Sequence, residues 1–538
     1  MPPSPPPASR LRALASNGAV LDLALWAWLA AVIVWTHTLR LTAFFNWDSQ
    51  LFLNMGRWVS RGVVPYREAM EVKPPGIFLY FAALFSASPT AWAIRLADVV
   101  WALAGAWALV RLLRQPAGRF AAAAAATAWI YWHHHAWLDH GGVYTEHYAA
   151  LAGLIALACR GPLASGWWTA AAALFKHPGA AVAAAIVIHR WPSWRWRDYG
   201  WWLLAIAAPI AAVLLWLWLA DAWEGFLYAN LWILIRHGRF ESLPLNARLL
   251  ELWQSQIEVA QHYPAMAAGI VLGQIATLFT RTSLALAATV WWLVAVAGVA
   301  LQGRYFEHHY LLFLPPAALL GGLGLGWLVR LRPAEPWPAR LARAALAGVA
   351  LWWGVGIVAR AELGERREVF RQRWAQVVAG PSAWPTGPAG RFESAVGDYI
   401  NTHTAADQRI HVQGFNPTLL NIYWYAQRPP AAPLFYEVPF VLDRALQFEQ
   451  IVAGDPAYVI FDRSVYLDPA ILAWLERDYQ LEASFGETYV VDLWRRRRDL
   501  ADGAAPQLEF HPVTNPLADP TGGWTSATRL GSYPTMGR

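Results

Sequence analysis

The sequence predicts an all-α polytopic membrane domain followed by a small carboxy-terminal α/β domain. Three observations carry that expectation. Apolar stretches of membrane-spanning length recur along the first 360 residues. Only 14% of the 538 residues are charged and 57% are hydrophobic, whereas ordinary soluble domains run about 25% charged. After residue 361 the pattern changes to strand-like and helix-like runs in alternation.

A helix that crosses a bilayer needs ~20 mostly apolar residues. About eleven stretches approach this: 19–41, 91–113, 119–138, 147–160, 166–176, 178–190, 200–220, 264–280, 283–301, 310–330 and 344–360. The pair around Lys176 is short and carries a break at Pro178–Gly179, so it reads as two half-length or tilted helices. The first stretch is too long for a secretory leader, and no small-residue cleavage site follows it. Residues 74–86, PPGIFLYFAALFS, are short and open on two prolines. They read as a helix lying in the membrane interface or dipping into it.

Loop charges order these spans. Cytoplasmic loops carry excess Lys and Arg. Alternate loops counted from the amino tail hold Arg10 and Arg12, then Arg114 and Arg119, Arg160, then Arg190, Arg195 and Arg197, Arg281, and finally Arg330, Arg332, Arg340 and Arg343. The opposite set holds Asp48, Glu68, Glu71, Asp139, Glu146, Asp221, Glu224 and Glu307. Parity and charge agree when 74–86 is not counted as a crossing, and the carboxyl end then finishes outside.

The organisation expected is a cytoplasmic tail over 1–18, a membrane domain over 19–360, a charged and Pro/Gly-rich linker over 361–390, an extracytoplasmic α/β domain over 391–498, and a disordered polar tail over 499–538. Strands are predicted at Arg409–Phe415, Tyr458–Asp462 and Tyr489–Leu493, with helices at Val441–Val452 and Pro469–Tyr479.

The net charge of +6 does not imply a nucleic-acid partner, because the basic residues fall in short groups between apolar segments. The one cysteine, Cys159, excludes an intramolecular disulfide framework and a CxxC metal site. The 35 tryptophans suit the membrane–water boundary and also sugar stacking.

Polar residues gather in a few places. Asn46–Gly76 is too polar to cross and holds Asp48, the turn signal Gly62, Pro65 and Tyr66, and Lys73 directly before Pro74 and Pro75. Asp48 just past a helix end serves either as a cap or as a general base. An unperturbed pKa of about 3.9 makes it a weak base that takes its proton late. Lys73 either snorkels or meets a lipid phosphate at the bilayer surface. In DHGGVYTEH, Asp139 and Glu146 sit in a Gly-containing outer loop, as caps or as substrate-orienting groups. Lys176, in LFKHPG, is an intramembrane lysine and so a functional candidate. In GRYFEHHYLLFLPP, Arg304 offers a phosphate-binding fork, beside His308 and His309. Adjacent histidines do not readily face one metal, and no metal site is expected. His133–His135 point to different faces of a helix and read as interfacial.

In this order the segments resemble the bacterial branch of the protein O-mannosyltransferase-like superfamily. These are membrane glycosyltransferases of the GT-C fold, including the lipid A aminoarabinose transferases and the rhizobial lipopolysaccharide-core enzymes. The pattern is an early Asp in the first outer loop, G-x-x-P-Y, K-P-P, a later loop acid, F-K-x-x-G, then G-R-Y-F-x-H-x-Y before a Leu-Pro-Pro helix, over about residues 19–498. The resemblance implies a polyprenyl-phosphate sugar donor, an acceptor that is an envelope glycan, lipid or protein, inversion at the anomeric centre, and a bacterial inner-membrane location with an extracytoplasmic site. By the same resemblance Asp48 is the catalytic acid of the first loop. Lys73, Arg304 and His308 hold the donor phosphate, and Asp139, Glu146, Lys176 and Tyr66 bind substrate. Many relatives carry Asp-Glu at the first site, whereas Ser49 follows Asp48 here, which weakens a divalent-metal role; no cofactor is expected. Two other readings stand beside this one: a transporter or lipid flippase, disfavoured because the polar clusters lie on one side and no repeat is visible, and a glycan ligase or polymerase of similar architecture.

Overall fold

A computed structural model describes residues 17–41, 47–88, 90–133, 138, 143–235, 244–302, 305–329, 371–372, 374–379, 391–414, 419–436, 444–463, 469–486, 490–500 and 509–511. The expected span at 344–360 lies outside them, as do Asp139, His134, His135 and Arg304. The chain divides into two compact units, residues 1–65 with 71–386, and residues 66–70 with 387–538.

The first unit is helical. Five helices among the described residues are long and apolar enough to cross a membrane, at Ala19–Thr38, Trp92–Ala117, Trp196–Leu219, Ser283–Leu301 and Glu307–Val329. A sixth counts if Asn246–His262 and Pro264–Thr280, which meet at 109°, form one broken span. Among the described residues that measure does not confirm the eleven expected crossings, because several of the apolar helices are short. The Lys176 region is the clearest case. A helix over Pro162–Phe175 is followed by a 3-10 turn over His177–Ala181 and a helix over Val182–Arg190. Pro178, which lacks a backbone N–H donor, falls at this interruption.

The helix Thr145–Ala158 is buried at every residue. Its sequence, TEHYAALAGLIALA, is apolar and small all round after the first turn, as a helix enclosed by others requires. Its two ends differ in charge. Glu146 lies in the first turn. At the far end Arg111 donates to the Ala158 carbonyl, and Arg190 to the carbonyls of Leu157 and Cys159. Asp22, near the start of the Asn17–Leu41 helix, pairs with Arg114 at 2.7 Å and Arg119 at 3.0 Å. Arg114 and Arg119 therefore share one end of this unit with Asp22.

Two segments expected to be loop are helical. Asp48 lies in the first turn of a helix over Trp47–Val59. That helix buries Leu51, Phe52, Leu53, Met55 and Trp58, together with Ser49, Gln50 and Asn54. Glu146 is likewise helical and buried, not in a loop. His133 is 2% exposed and packs against His147, so it is an internal residue and not an interfacial one. The short helix expected after the two prolines is found at Gly76–Ala87, burying Ile77, Phe78, Phe81, Ala82 and Phe85.

The second unit contains a five-stranded mixed sheet of order β1-β2-β4-β3-β5. The strands are β1 Ile410–Gln413, β2 Tyr458–Asp462, β3 Tyr479–Phe485, β4 Val491–Arg496 and β5 Glu509–His511. β1 and β2 run parallel, β2–β4 and β4–β3 antiparallel, and β3 and β5 parallel. β2 has a neighbour on each side and is buried throughout, which explains its unbroken apolar run. Helices Arg444–Gly454 and Pro469–Asp478 bring Ile451, Trp474 and Leu475 into a core with Val459 and Tyr479. Two strands differ from expectation. Tyr479 begins β3 instead of ending a helix, and β5 lies in the tail expected to be disordered. β3 reads YQLEASF, and its polar residues hide the strand pattern until Glu482 meets Tyr458 and Arg495 across the sheet.

Candidate active site

Four separate stretches of the first unit converge on Glu146. Its Oε1 is paired with Lys176 Nζ, and lies 3.8 Å from His308 Nε2 and 3.7 Å from His309 Nε2. Thr145 Oγ1 donates to Glu146 Oε2 at 2.8 Å. Across His308 lies Asp48, its Oδ2 4.0 Å from the same Nε2. One imidazole thus stands between two carboxylates.

Lys73 approaches from the Asp48 side. Its ammonium lies 5.9 Å from the Phe52 ring centre and 4.0 Å from Glu71 Oε1. Asp48 and Phe52 are four residues apart on one helix and so share a face. The lysine that covers Phe52 is therefore close enough to act on Asp48.

Two glycines allow this convergence. A Cβ on Gly76 would stand 2.5 Å from the Leu174 carbonyl oxygen, so the Lys73–Pro74–Pro75 segment packs directly on the backbone two residues before Lys176. A Cβ on Gly179 would stand 2.2 Å from the Ala172 oxygen and 3.0 Å from Ala149 Cβ. That contact presses the turn after Lys176 against the helix carrying Glu146.

The imidazole of His308 is held flat. It stacks on Tyr144 at 4.5 Å and 4° between planes, and on Phe306 at 5.7 Å and 14°. The 3-10 geometry of Glu307–Phe313 sets the adjacent His309 ring at 81° to His308, yet both Nε2 atoms reach the same carboxylate.

Burial, stronger than the opposing pull of Lys73, pushes the Asp48 carboxyl up to about 7, and Glu146 and Glu71 add to the rise. The side chain is 17% exposed. Asp48 is therefore a better base near neutral pH than the weak, late-acting one expected from the sequence.

Glu146, His308 and His309 each offer a ligand atom within 4.8 Å of one another, contrary to the expectation that adjacent histidines would not face one ion. As a donor set two imidazoles and a carboxylate suit a divalent cation. The Lys176 ammonium, paired with Glu146 Oε1, places a positive charge beside this donor set.

Of the residues singled out in the sequence, Asp48, Lys73, Glu146, Lys176 and His308 are brought together. Tyr66 belongs to the second unit. Arg304 and Asp139 lie outside the described residues. Several residues were missed. Tyr144 carries no charge to mark it. Ser49, fully buried, accepts from the Val143 N–H at 2.8 Å. Tyr148 Oη donates to Asp98 Oδ1 at 2.7 Å, and Asp98 faces Arg95 at 4.0 Å. An acid and a base three residues apart inside an apolar stretch were a legible signal for that last pair.

No protein-family model matches the chain, and no curated protein does. Among solved structures, ArnT from Cupriavidus metallidurans bound to undecaprenyl phosphate aligns with a TM-score of 0.50 at 14% identity, over 92% of this chain and 100% of that one. The chain has the GT-C fold. The archaeal oligosaccharyltransferase AglB from Archaeoglobus fulgidus, in complex with an inhibitory peptide and a dolichol-phosphate, aligns at 0.44 and 12% identity, over 81% of this chain and 69% of that one. In the GT-C fold of this chain, the Asp48 and Glu146 clusters draw on the first long polar segment and on three later helix junctions.

Proposed function

We propose that the protein is a membrane glycosyltransferase that moves a sugar from a polyprenyl-phosphate donor to an extracytoplasmic acceptor, with inversion. The observation that carries this reading is the grouping of an acid of raised pKa, Asp48, with Lys73, Lys176 and His308, in a chain of GT-C fold. The acceptor hydroxyl loses its proton to Asp48 as its oxygen bonds to the anomeric carbon. On the opposite face the bond from that carbon to the phosphate oxygen breaks, and the electron pair leaves with the polyprenyl phosphate.

A phosphate is already a good leaving group, so no strong general acid is required. Positive charge is required where negative charge develops, and Lys73 supplies it. At 4 Å and an effective dielectric near 20, such a pair gains about 4 kcal/mol gross. Lys176 neutralises Glu146 and keeps a second unpaired carboxylate out of the site. Lys176, paired with Glu146, supplies a positive charge beside that carboxylate, and transfer is metal-free in this reading. The active face is the outer one, supported by the separation of the Arg111, Arg114, Arg119 and Arg190 end from the Glu146 end.

Membranes containing the protein, given a polyprenyl-phosphate sugar labelled in the sugar, release polyprenyl phosphate only when Asp48 is intact, and EDTA leaves the rate unchanged. Deleting the gene removes one sugar from an envelope glycan by mass analysis, and the Asp48→Asn gene does not restore it. Passage of the labelled lipid across liposomes without transfer would replace this reading with a transport function.

A further inference from the structure

Between the spans Trp196–Leu219 and Ser283–Leu301 lies a helix that the apolar pattern did not mark. It covers Leu245–His262 and reads LNARLLELWQSQIEVAQH. Its sides have different surroundings. Leu249, Trp253 and Ile257 recur every four residues and Leu250 adjoins them, so the four share one side. All four are exposed, Trp253 by 65%. Ser255 and Val259 lie on the opposite side and are buried. Glu251, Gln254, Glu258 and Gln261 follow one margin between the two. Apart from Asn246 in its first turn, the exposed side of this helix is thus its apolar side, the reverse of what contact with water selects.

The next helix indicates what covers that side. Pro264–Thr280 meets Asn246–His262 at 109° and exposes Val271, Ile275, Leu278 and Phe279. Its 17 residues are ~26 Å long, close to the hydrocarbon thickness of about 30 Å. With Pro264–Thr280 crossing the bilayer, a helix nearly at right angles to it runs along the membrane surface. One span broken at Tyr263 would instead carry Arg248, Glu251 and Glu258 into the hydrocarbon, at about 3 kcal/mol for each charge at mid-depth. Lying in the surface, the helix keeps those groups at the headgroups and its apolar side among the chains. Its opposite side meets the start of another span, Glu307–Val329. Tyr305 Oη donates to the Arg248 carbonyl at 3.1 Å, and the Tyr310 hydroxyl stands against Ser255. His308 lies between those two tyrosines.

We propose that Leu245–His262 is a membrane-surface helix whose partner is the lipid of one leaflet. Leu249, Leu250, Trp253 and Ile257 sit among the acyl chains. The opposite side holds the Tyr305–Tyr310 segment, and His308 with it, at the depth of the headgroups. This goes beyond the transfer reading, since it fixes the depth of the histidine segment whatever the site transfers.

The test uses the full-length protein, with Cys159→Ser as background, in nanodiscs of phosphatidylcholine and phosphatidylglycerol. Single spin labels are attached at Leu249→Cys, Trp253→Cys, Ile257→Cys, Gln254→Cys and Glu307→Cys. Collision with oxygen and with a water-soluble nickel chelate gives the depth of each. The labels replacing Leu249, Trp253 and Ile257 are expected at one common depth, about 5–10 Å into the boundary between headgroups and chains. Those replacing Gln254 and Glu307 are expected nearer the water. A broken span would instead change depth by about 12 Å over the stretch from Leu249 to Ile257, and that result overturns the proposal. So does nickel access at all three positions, which puts that side in water, or shielding from both reagents, which puts protein on it. Leu249→Gln/Trp253→Gln/Ile257→Gln loosens the helix from the lipid, and the label replacing Glu307 is then expected to gain about twofold in nickel access. An unchanged label there overturns the hold on the His308 segment. If the triple variant does not fold, Tyr305→Phe, which removes only the bond to Arg248, carries the same comparison.

Discussion

The hydroxyl of Ser49 accepts a hydrogen bond from the backbone N–H of Val143 at 2.8 Å, with Ser49 fully buried. This bond joins the helix carrying Asp48 to the residue before Tyr144, from which the Glu146 helix starts. It explains why a small hydroxyl residue follows Asp48. A second carboxylate there would add a buried charge beside Asp48.

Ser49→Ala is therefore expected to cost about 1–3 kcal/mol, because it leaves the Val143 N–H buried without its acceptor. Ser49→Glu costs more, as an added buried charge. Thermal unfolding of the purified variants measures both, and a Ser49→Glu variant as stable and active as wild type would show that the bond is incidental.

For Asp48 the direction of the pKa shift sets the pH dependence. The base must be ionised to accept a proton, so the rate climbs through about pH 7 and levels above it. Asp48→Asn lowers the rate by about 100-fold or more and removes the rising limb. Stability runs the other way. A carboxyl whose folded pKa is raised contributes stability below the unfolded value of 3.8 that is lost as pH rises through about 7. Asp48→Asn is thus expected to unfold at a higher temperature than wild type at pH 8, with the difference shrinking towards pH 5.

Lys73 is a point charge over Phe52, with 27% of its side chain exposed. Lys73→Ala is expected to raise the donor KM by about tenfold or more, consistent with loss of one charge-assisted contact, while Lys73→Arg retains most of the activity. Equal, full activity in both variants removes the residue from the site.

The Glu146–Lys176 pair is almost entirely buried. Glu146→Gln and Lys176→Met, taken singly, each strand a buried charge and are expected to destabilise by about 3–5 kcal/mol. The double variant recovers most of that stability and remains inactive. A double-mutant cycle on unfolding temperatures in detergent checks the coupling, and additive losses would mean that the two groups do not share a bond.

Composition and periodicity alone determined the membrane domain, the α/β unit and its three apolar strands, since burying apolar residues depends on pattern that survives in one dimension. Asp48, Lys73, Glu146, Lys176 and His308 were legible as isolated polar residues beside apolar stretches, where a charge needs a reason. Their assembly was not. Gly76 against Leu174, Gly179 against Ala172 and Tyr144 against His308 are contacts between segments far apart in sequence, and no local propensity encodes which backbones approach. The transfer of Tyr66–Met70 to the second unit was hidden for the same reason, because Arg409, which donates to Glu68, lies 341 residues from it. Charge type is a property of the residue, whereas the pKa of Asp48 is a property of what surrounds it, and only the tertiary structure decides that.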